Sequence, residues 1–150
     1  MEQRRRLPPE RRGIIHHFNI GVICGYINVG LYCDGKPGEV FIIASKEGST
    51  FRGLLDVVGI LISLLLQHNI PLKKIADKLR NTNFQPNGMA TGCNEIVSAT
   101  SILDYVAHFL ELRFPETTAA TTTTTTLQKE KKKKKKKKER KRKGKRTNKE

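Results

Sequence analysis

The chain has 150 residues, room for one domain with tails, and a net charge of +15. That charge is not spread evenly: residues 129–150 hold 16 Lys/Arg against 3 Glu, residues 1–12 hold 5 Arg against 2 Glu, and residues 13–114 balance 8 against 8. A basic fold is therefore excluded, and electrostatic attraction to polyanions belongs to the tail alone. The three cysteines, Cys24, Cys33 and Cys93, are odd in number and include no C-x-x-C pair, which argues against a disulfide scaffold or a four-cysteine zinc site. Reduced thiols in the cytoplasm are the expectation. The N-terminal arginines have no apolar run behind them, so no signal peptide is expected. The longest apolar stretch, residues 57–66, falls short of the ~20 residues of a membrane span.

In chain order, residues 1–12 ("MEQRRRLPPERR") read as a disordered basic leader. Residues 14–20 predict a first strand and residues 24–33 ("CGYINVGLYC") a second. In the second, Ile27, Val29, Leu31 and Cys33 share one face, while Tyr26, Asn28, Gly30 and Tyr32 share the other. One face is apolar and the other mixed, the pattern of a sheet covered on one side. "DGKPG" is a turn, because glycine accepts positive φ and proline presets an early turn position. Residues 40–44 return as the partner strand.

The next element is a helix capped by Ser49 or Thr50. Its apolar residues, Leu54, Leu55, Val57, Val58, Ile60, Leu61, Ile62, Leu64, Leu65 and Leu66, cover nearly the whole circumference, which predicts a buried central helix. Asn69 closes it in the left-handed region, and Pro71 suits the first turn of the next helix. There Leu72, Ile75, Ala76 and Leu79 form one stripe. Residues 81–97, rich in Asn, Pro and Gly, read as a loop. Ser98 or Thr100 caps a last helix to about Arg113, with Ile102, Val106, Phe109 and Leu110 inward. Residues 115–128 are a Thr-rich linker and residues 129–150 a disordered Lys/Arg-rich tail, since neither can build a core. The fold class is α+β: a small antiparallel sheet of about three strands on a buried central helix, plus two amphipathic helices.

The blocks "GYINVGLYCDGKPGEVFI", "SKEGSTFRGLLD", "ISLLLQHNIPLKKIADKL", "FQPNG", "NEI" and "SILDYV" stand in this order across residues 17–114. With them the chain resembles the C-terminal, TSCPD-type domain of adenosylcobalamin-dependent ribonucleotide reductases. The resemblance implies a ribonucleoside-diphosphate reductase context, in which a cobalamin-derived radical makes a cysteine thiyl that attacks the ribose. It also implies that this work belongs to a large α/β barrel, for which residues 13–114 have no room. The family's C-terminal cysteine pair has no counterpart in the Thr/Lys tail, and the three cysteines match no reactive cysteine. The implied role is a stand-alone accessory domain or fragment, inactive alone, that serves DNA synthesis with a separate catalytic chain. No cofactor is expected on this chain, adenosylcobalamin being implied only for the full enzyme.

One candidate site follows from the residues themselves. In "KEGST" the amides of Gly48, Ser49 and Thr50 at a helix start point at an anion that Lys46 neutralises, a phosphate or nucleotide site. The same residues also describe an ordinary capped turn, and the P-loop pattern is absent. Asp34 and Glu39 around "DGKPGE" mark a turn and, alternatively, part of a docking surface. Adjacent strand residues His16 and His17 point to opposite faces and cannot easily share a metal ion. Asp56 pairs with Arg52 four residues earlier. No catalytic constellation and no metal site are expected. The alternative function is a non-enzymatic nucleic-acid-binding protein acting through residues 129–150. "KERKRKGKR" also reads as a nuclear address, or the homopolymeric runs do nothing specific.

Overall fold

Period-two alternation runs through three consecutive strands, β1 (Gly13–Ile20), β2 (Ile23–Leu31) and β3 (Pro37–Ala44). The computed structural model describes residues 4–44 and 48–115. Phe18 and Ile20, Ile27 and Val29, and Val40 and Ile42 are essentially fully buried and form the inner face. The residues between them, among them Ile15, Tyr26 and Phe41, are exposed on the other face. β1 and β2 pair from Gly13↔Gly30 to Ile20↔Ile23, leaving a two-residue turn at Gly21 and Val22. Gly21 takes a φ of 56°, which a tight hairpin turn requires and glycine accepts. β2 and β3 pair through the "DGKPG" turn, where Gly35 has a φ of 81°.

The expected single three-stranded sheet is larger. Two short strands, β4 (Gly88–Thr91) and β5 (Ser98–Ala99), extend it in the order β3-β2-β1-β4-β5. β4 lies inside the predicted loop and β5 just after it. Four and two residues are too few to show an alternation, and β4 meets β1 only at Asn19↔Thr91 and Ile20↔Ala90. The fold remains α+β, with three helices, α1 (Thr50–Gln67), α2 (Leu72–Leu79) and α3 (Ile102–Arg113). α3 begins after Ser101 rather than Ser98 or Thr100, because Ser98 and Ala99 are taken by β5; Ser101 Oγ accepts from the Asp104 amide at 3.1 Å. The α2 stripe is as expected, with Leu72, Ile75 and Ala76 buried and Leu79 packed against the core.

The buried central helix is corrected. α1 buries Leu55, Gly59, Ile62, Leu66 and Gln67 only. Leu54, Val57, Ile60, Leu61 and Leu65 are 42–61% exposed on the opposite side. The reason is that α1 lies along the outer edge of β3. Gly59, Ser63 and Gln67, one turn apart, face that edge. Ser63 Oγ accepts from the Val40 amide at 2.9 Å, and Gln67 Nε2 donates to the Gly38 carbonyl at 3.0 Å. At Gly59 a Cβ would stand 2.8 Å from the Val40 carbonyl oxygen. At 18 residues and a mean hydropathy of 1.6, α1 is long and apolar enough to cross a membrane. The 57–66 run understated its length; its inner residues pack into the core beside β3.

The described part of the leader, residues 4–12, lies against the fold. The Arg5 amide donates to the Gln67 carbonyl at 2.9 Å and Arg4 Nε to Gln67 Oε1 at 2.7 Å. The Leu31 amide donates to the Arg12 carbonyl at 2.9 Å. The Arg5 guanidinium sits 4.1 Å from the centre of the Tyr32 ring, whose hydroxyl donates to the Arg5 carbonyl. This covering leaves Tyr32 only 7% exposed, although alternation put it on the open face. Cys33, expected inward, is exposed because β2 ends at Leu31. The Thr-rich linker beyond Pro115 and the Lys/Arg tail lie outside the described residues.

Polar groups in the core are closely bonded. Asp104 accepts from the amides of Asn81 (2.8 Å) and Thr100 (3.2 Å), tying the end of α2 to the start of α3. Burial works against its ionisation, but those amides and nearby His108 outweigh it and hold the carboxyl below its usual value. His16 stacks on Phe109 at 4.1 Å and bonds the buried Tyr105 hydroxyl at 2.9 Å. Burial, with the neighbouring His17, lowers its pKa. Burial pushes Tyr105 up to about 12.

Two expectations follow. Ser63→Ala leaves the Val40 amide unbonded and costs about 1–3 kcal/mol. Gly59→Ala costs a similar ~1–3 kcal/mol despite better helix propensity, because the clash is with backbone. Urea midpoints at constant slope check both. For pH, both groups bind protons less readily folded than unfolded, so stability rises with pH across each interval. Urea titrations over a pH series should show stability falling below pH 6.5 as His16 protonates in the unfolded chain first, and again below 3.8 for Asp104. His16→Asn removes the first fall, and Asp104→Asn diminishes the second, to which Asp34 also contributes.

Candidate functional site

The chain leaves β3 and enters α1 through the predicted "KEGST" turn. Gly48 has a φ of 78°, a conformation that suits glycine, with open space where a Cβ would stand. Ser49 is the N-cap: its hydroxyl accepts from the Arg52 amide at 3.2 Å, and its carbonyl from the Gly53 amide at 3.0 Å. Thr50 is the first helical residue and is exposed. Gly48, Ser49 and Thr50 thus stand together at the helix start, while Lys46 lies outside the described residues. Arg52 in the first turn is engaged by Asp56, its Nε at 3.0 and 3.2 Å from the two carboxylate oxygens, the expected pair.

Phe51, between Thr50 and Arg52, forms a wall of a shallow cleft of about 510 Å³. The other walls are Gly21, Val22 and Ile23 of the β1–β2 turn and Gln85, Pro86 and Asn87 of the loop before β4. A bond from the Gly21 amide to the Met89 carbonyl (3.1 Å) holds the turn beside β4, and one from the Phe84 amide to the Thr100 carbonyl (3.2 Å) anchors the loop. The cleft is open to solvent and mainly apolar in lining, with Gln85 and Asn87 as its polar groups. Three segments distant in sequence build it, which is why no local motif announced it. The outer stripe of α1 was visible in the sequence as apolar residues, but their exposure was not.

The remaining candidates resolve into structural roles. Asp34 pairs with Arg5 at 3.5 Å and Lys36 at 4.0 Å, and Glu39 pairs with Arg11, so the acids of the hairpin hold the leader. A backbone bond to the Lys36 amide, with Arg5 close by, lowers the Asp34 pKa. His16 points inward and His17 outward beside Tyr26, ring centres 4.9 Å apart, so they share no ion. His108 lies 3.7 Å from Asp104. Among the described residues no group of three His, Cys, Asp or Glu stands together, and the three cysteines form no disulfide, Cys93 Sγ donating to Glu95 Oε2 at 3.8 Å.

Comparison with known proteins gives a consistent result. Vitamin B12-dependent ribonucleotide reductase of Rhodopirellula baltica is 43% identical over 112 residues, 75% of this chain and 11% of that protein. The protein of the same name from Agrobacterium fabrum is 38% identical over 112 residues, 75% of this chain and 9% of that protein. That of Streptomyces coelicolor is 40% identical over 111 residues, 74% of this chain and 11% of that protein. The chain spans about a tenth of the length of the curated relatives it matches. No solved structure matches it. The model of the TSCPD domain matches residues 2–114, the docked leader and every strand and helix described above, and the chain belongs to the TSCPD domain family.

Proposed function

We propose that this chain is an accessory domain of a vitamin B12-dependent ribonucleoside-diphosphate reductase, serving deoxyribonucleotide synthesis in the cytoplasm with a separate catalytic chain. The carrying observation is the match itself: about three quarters of this chain aligns at 37–43% identity with reductases of which it spans only about a tenth. The substrate chemistry and the radical then belong to the partner, and this chain is inactive alone. Adenosylcobalamin does not fit the residues present. The shallow cleft beside Phe51 is not an enclosed corrin pocket, and no described histidine lines it. In this reading the cofactor is held by the catalytic chain.

The outer stripe of α1 supports a protein partner. Leu54, Val57, Ile60, Leu61 and Leu65 form a half-exposed aliphatic surface, and the charged residues of the helix, Arg52 and Asp56, pair with each other at its start. Such uncharged patches mark interaction sites. The "KEGST" turn, with Lys46, Gly48, Ser49 and Thr50, is the nucleotide-phosphate contact in this reading, next to an apolar cleft that accepts a ring.

Purified chain should co-elute with a cobalamin-dependent catalytic chain from the same organism and change its rate. Leu61→Asp should weaken that association at least about tenfold, since a buried unpaired charge is costly, with the circular dichroism unchanged. Absence of both co-elution and rate change overturns the partnership. Lys46→Ala should weaken binding of a nucleoside diphosphate, read by calorimetry, by about fivefold. An unchanged affinity removes the phosphate contact without touching the partnership.

A further inference from the structure

Residues 4–12 lie in a seat that reads them one group at a time. Every polar group of Arg5 is met there. Its amide donates to the Gln67 carbonyl at 2.9 Å, and its carbonyl accepts from the Tyr32 hydroxyl. Its guanidinium lies 4.1 Å from the centre of the Tyr32 ring and 3.5 Å from the Asp34 carboxylate. Two positions on, Leu7 is half-buried over Gly38. A Cβ at Gly38 would stand 2.7 Å from Leu7 Cδ1 and 2.5 Å from the Tyr32 ring, so glycine makes the room for this leucine. A second anchor follows at Arg11, whose Nε donates to Glu39. Its Nη1 donates to the Pro8 and Pro9 carbonyls at 3.2 and 3.0 Å and holds the bend of the segment.

The seat is positioned by the fold and not by the leader. The Tyr32 amide donates to the Lys36 carbonyl at 2.9 Å, Asp34 Oδ1 accepts from the Lys36 amide at 3.2 Å, and Gln67 Nε2 donates to the Gly38 carbonyl at 3.0 Å. We propose that this seat is a peptide-recognition groove for an extended arginine-x-leucine-proline segment. The leader is its occupant in cis, and the same segment on another protein takes the seat by displacing it. The chemistry of the groove selects this occupant. A ring and a carboxylate together flank a planar guanidinium, which a lysine ammonium does not reproduce. Glu39 calls for a second cation further along the segment, and the bare backbone at Gly38 calls for a branched apolar side chain between the two. The leader can be displaced because its grip is shallow: its arginines are exposed, and surface ion pairs contribute little each. What remains is main-chain bonding, one ring contact and one leucine, the usual means of holding an extended peptide. The proposal is independent of the reductase reading.

The test uses the full chain and a fluorescein-labelled peptide of residues 4–12, with a scrambled peptide of the same composition as control, by fluorescence anisotropy. A short tether keeps the leader at a millimolar effective concentration, so for a peptide of ~100 μM affinity the occupied seat weakens binding in trans about tenfold. Arg5→Glu and Leu7→Asp, tested separately, each empty the seat. Both variants are expected to bind the peptide about tenfold more tightly than the unaltered chain, with circular dichroism unchanged. In the Leu7→Asp chain, Asp34→Ala weakens peptide binding about fivefold, and so does a peptide carrying lysine in place of Arg5. Equal binding of the scrambled peptide, or equal affinity of the unaltered chain and both variants, overturns the proposal. Absence of binding by both variants at millimolar peptide also overturns it and leaves the leader as terminal packing. Unfolding of both variants overturns it as well, since the leader is then a fixed part of the fold and not a displaceable ligand.

Discussion

The contact of α1 with the edge of β3 is the constraint on which the rest of the fold depends. An edge strand presents unpaired amides and carbonyls, and burying them without partners is costly. Here the helix supplies the partners itself, Ser63 for the Val40 amide and Gln67 for the Gly38 carbonyl, and glycine at 59 lets the backbones approach. Gln67 then reaches further, its Oε1 accepting from Arg4 and its carbonyl from the Arg5 amide. Helix, edge strand and leader are one polar assembly wrapped around an apolar core.

This placement determines what is left for partners. A helix centred under the sheet would bury both its flanks; a helix along the edge buries one. The outer aliphatic stripe of α1 is thus a consequence of this docking, whereas the aromatic open face belongs to the side of the sheet away from the helices. They differ in chemistry, one uncharged and aliphatic, the other aromatic with an unbonded amide oxygen.

Much of this was legible from residues alone, and the failures have identifiable causes. The hairpin, the Ser49 cap, the α2 stripe and the opposed His16 and His17 follow from local rules of turn chemistry and periodicity. The β4 and β5 strands do not, because two to four residues carry no period and their pairing is set by distant chain. The circumference of α1 was read as burial, yet hydrophobicity of a helix says only that it seeks cover, not how many sides receive it. The leader's arginines looked like solvated charge until Asp34, Glu39 and the Tyr32 ring were brought beside them. At the candidate site the "KEGST" turn was visible and the cleft was not, since Gly21, Phe51 and Pro86 meet only in three dimensions.

Sheet geometry also limits how copies of this molecule can grow together. One border of the sheet, β3, is sealed by a helix that bonds its outward amide and carbonyl groups. That border is closed to the strand addition by which bare hydrogen-bonding rims template fibrils.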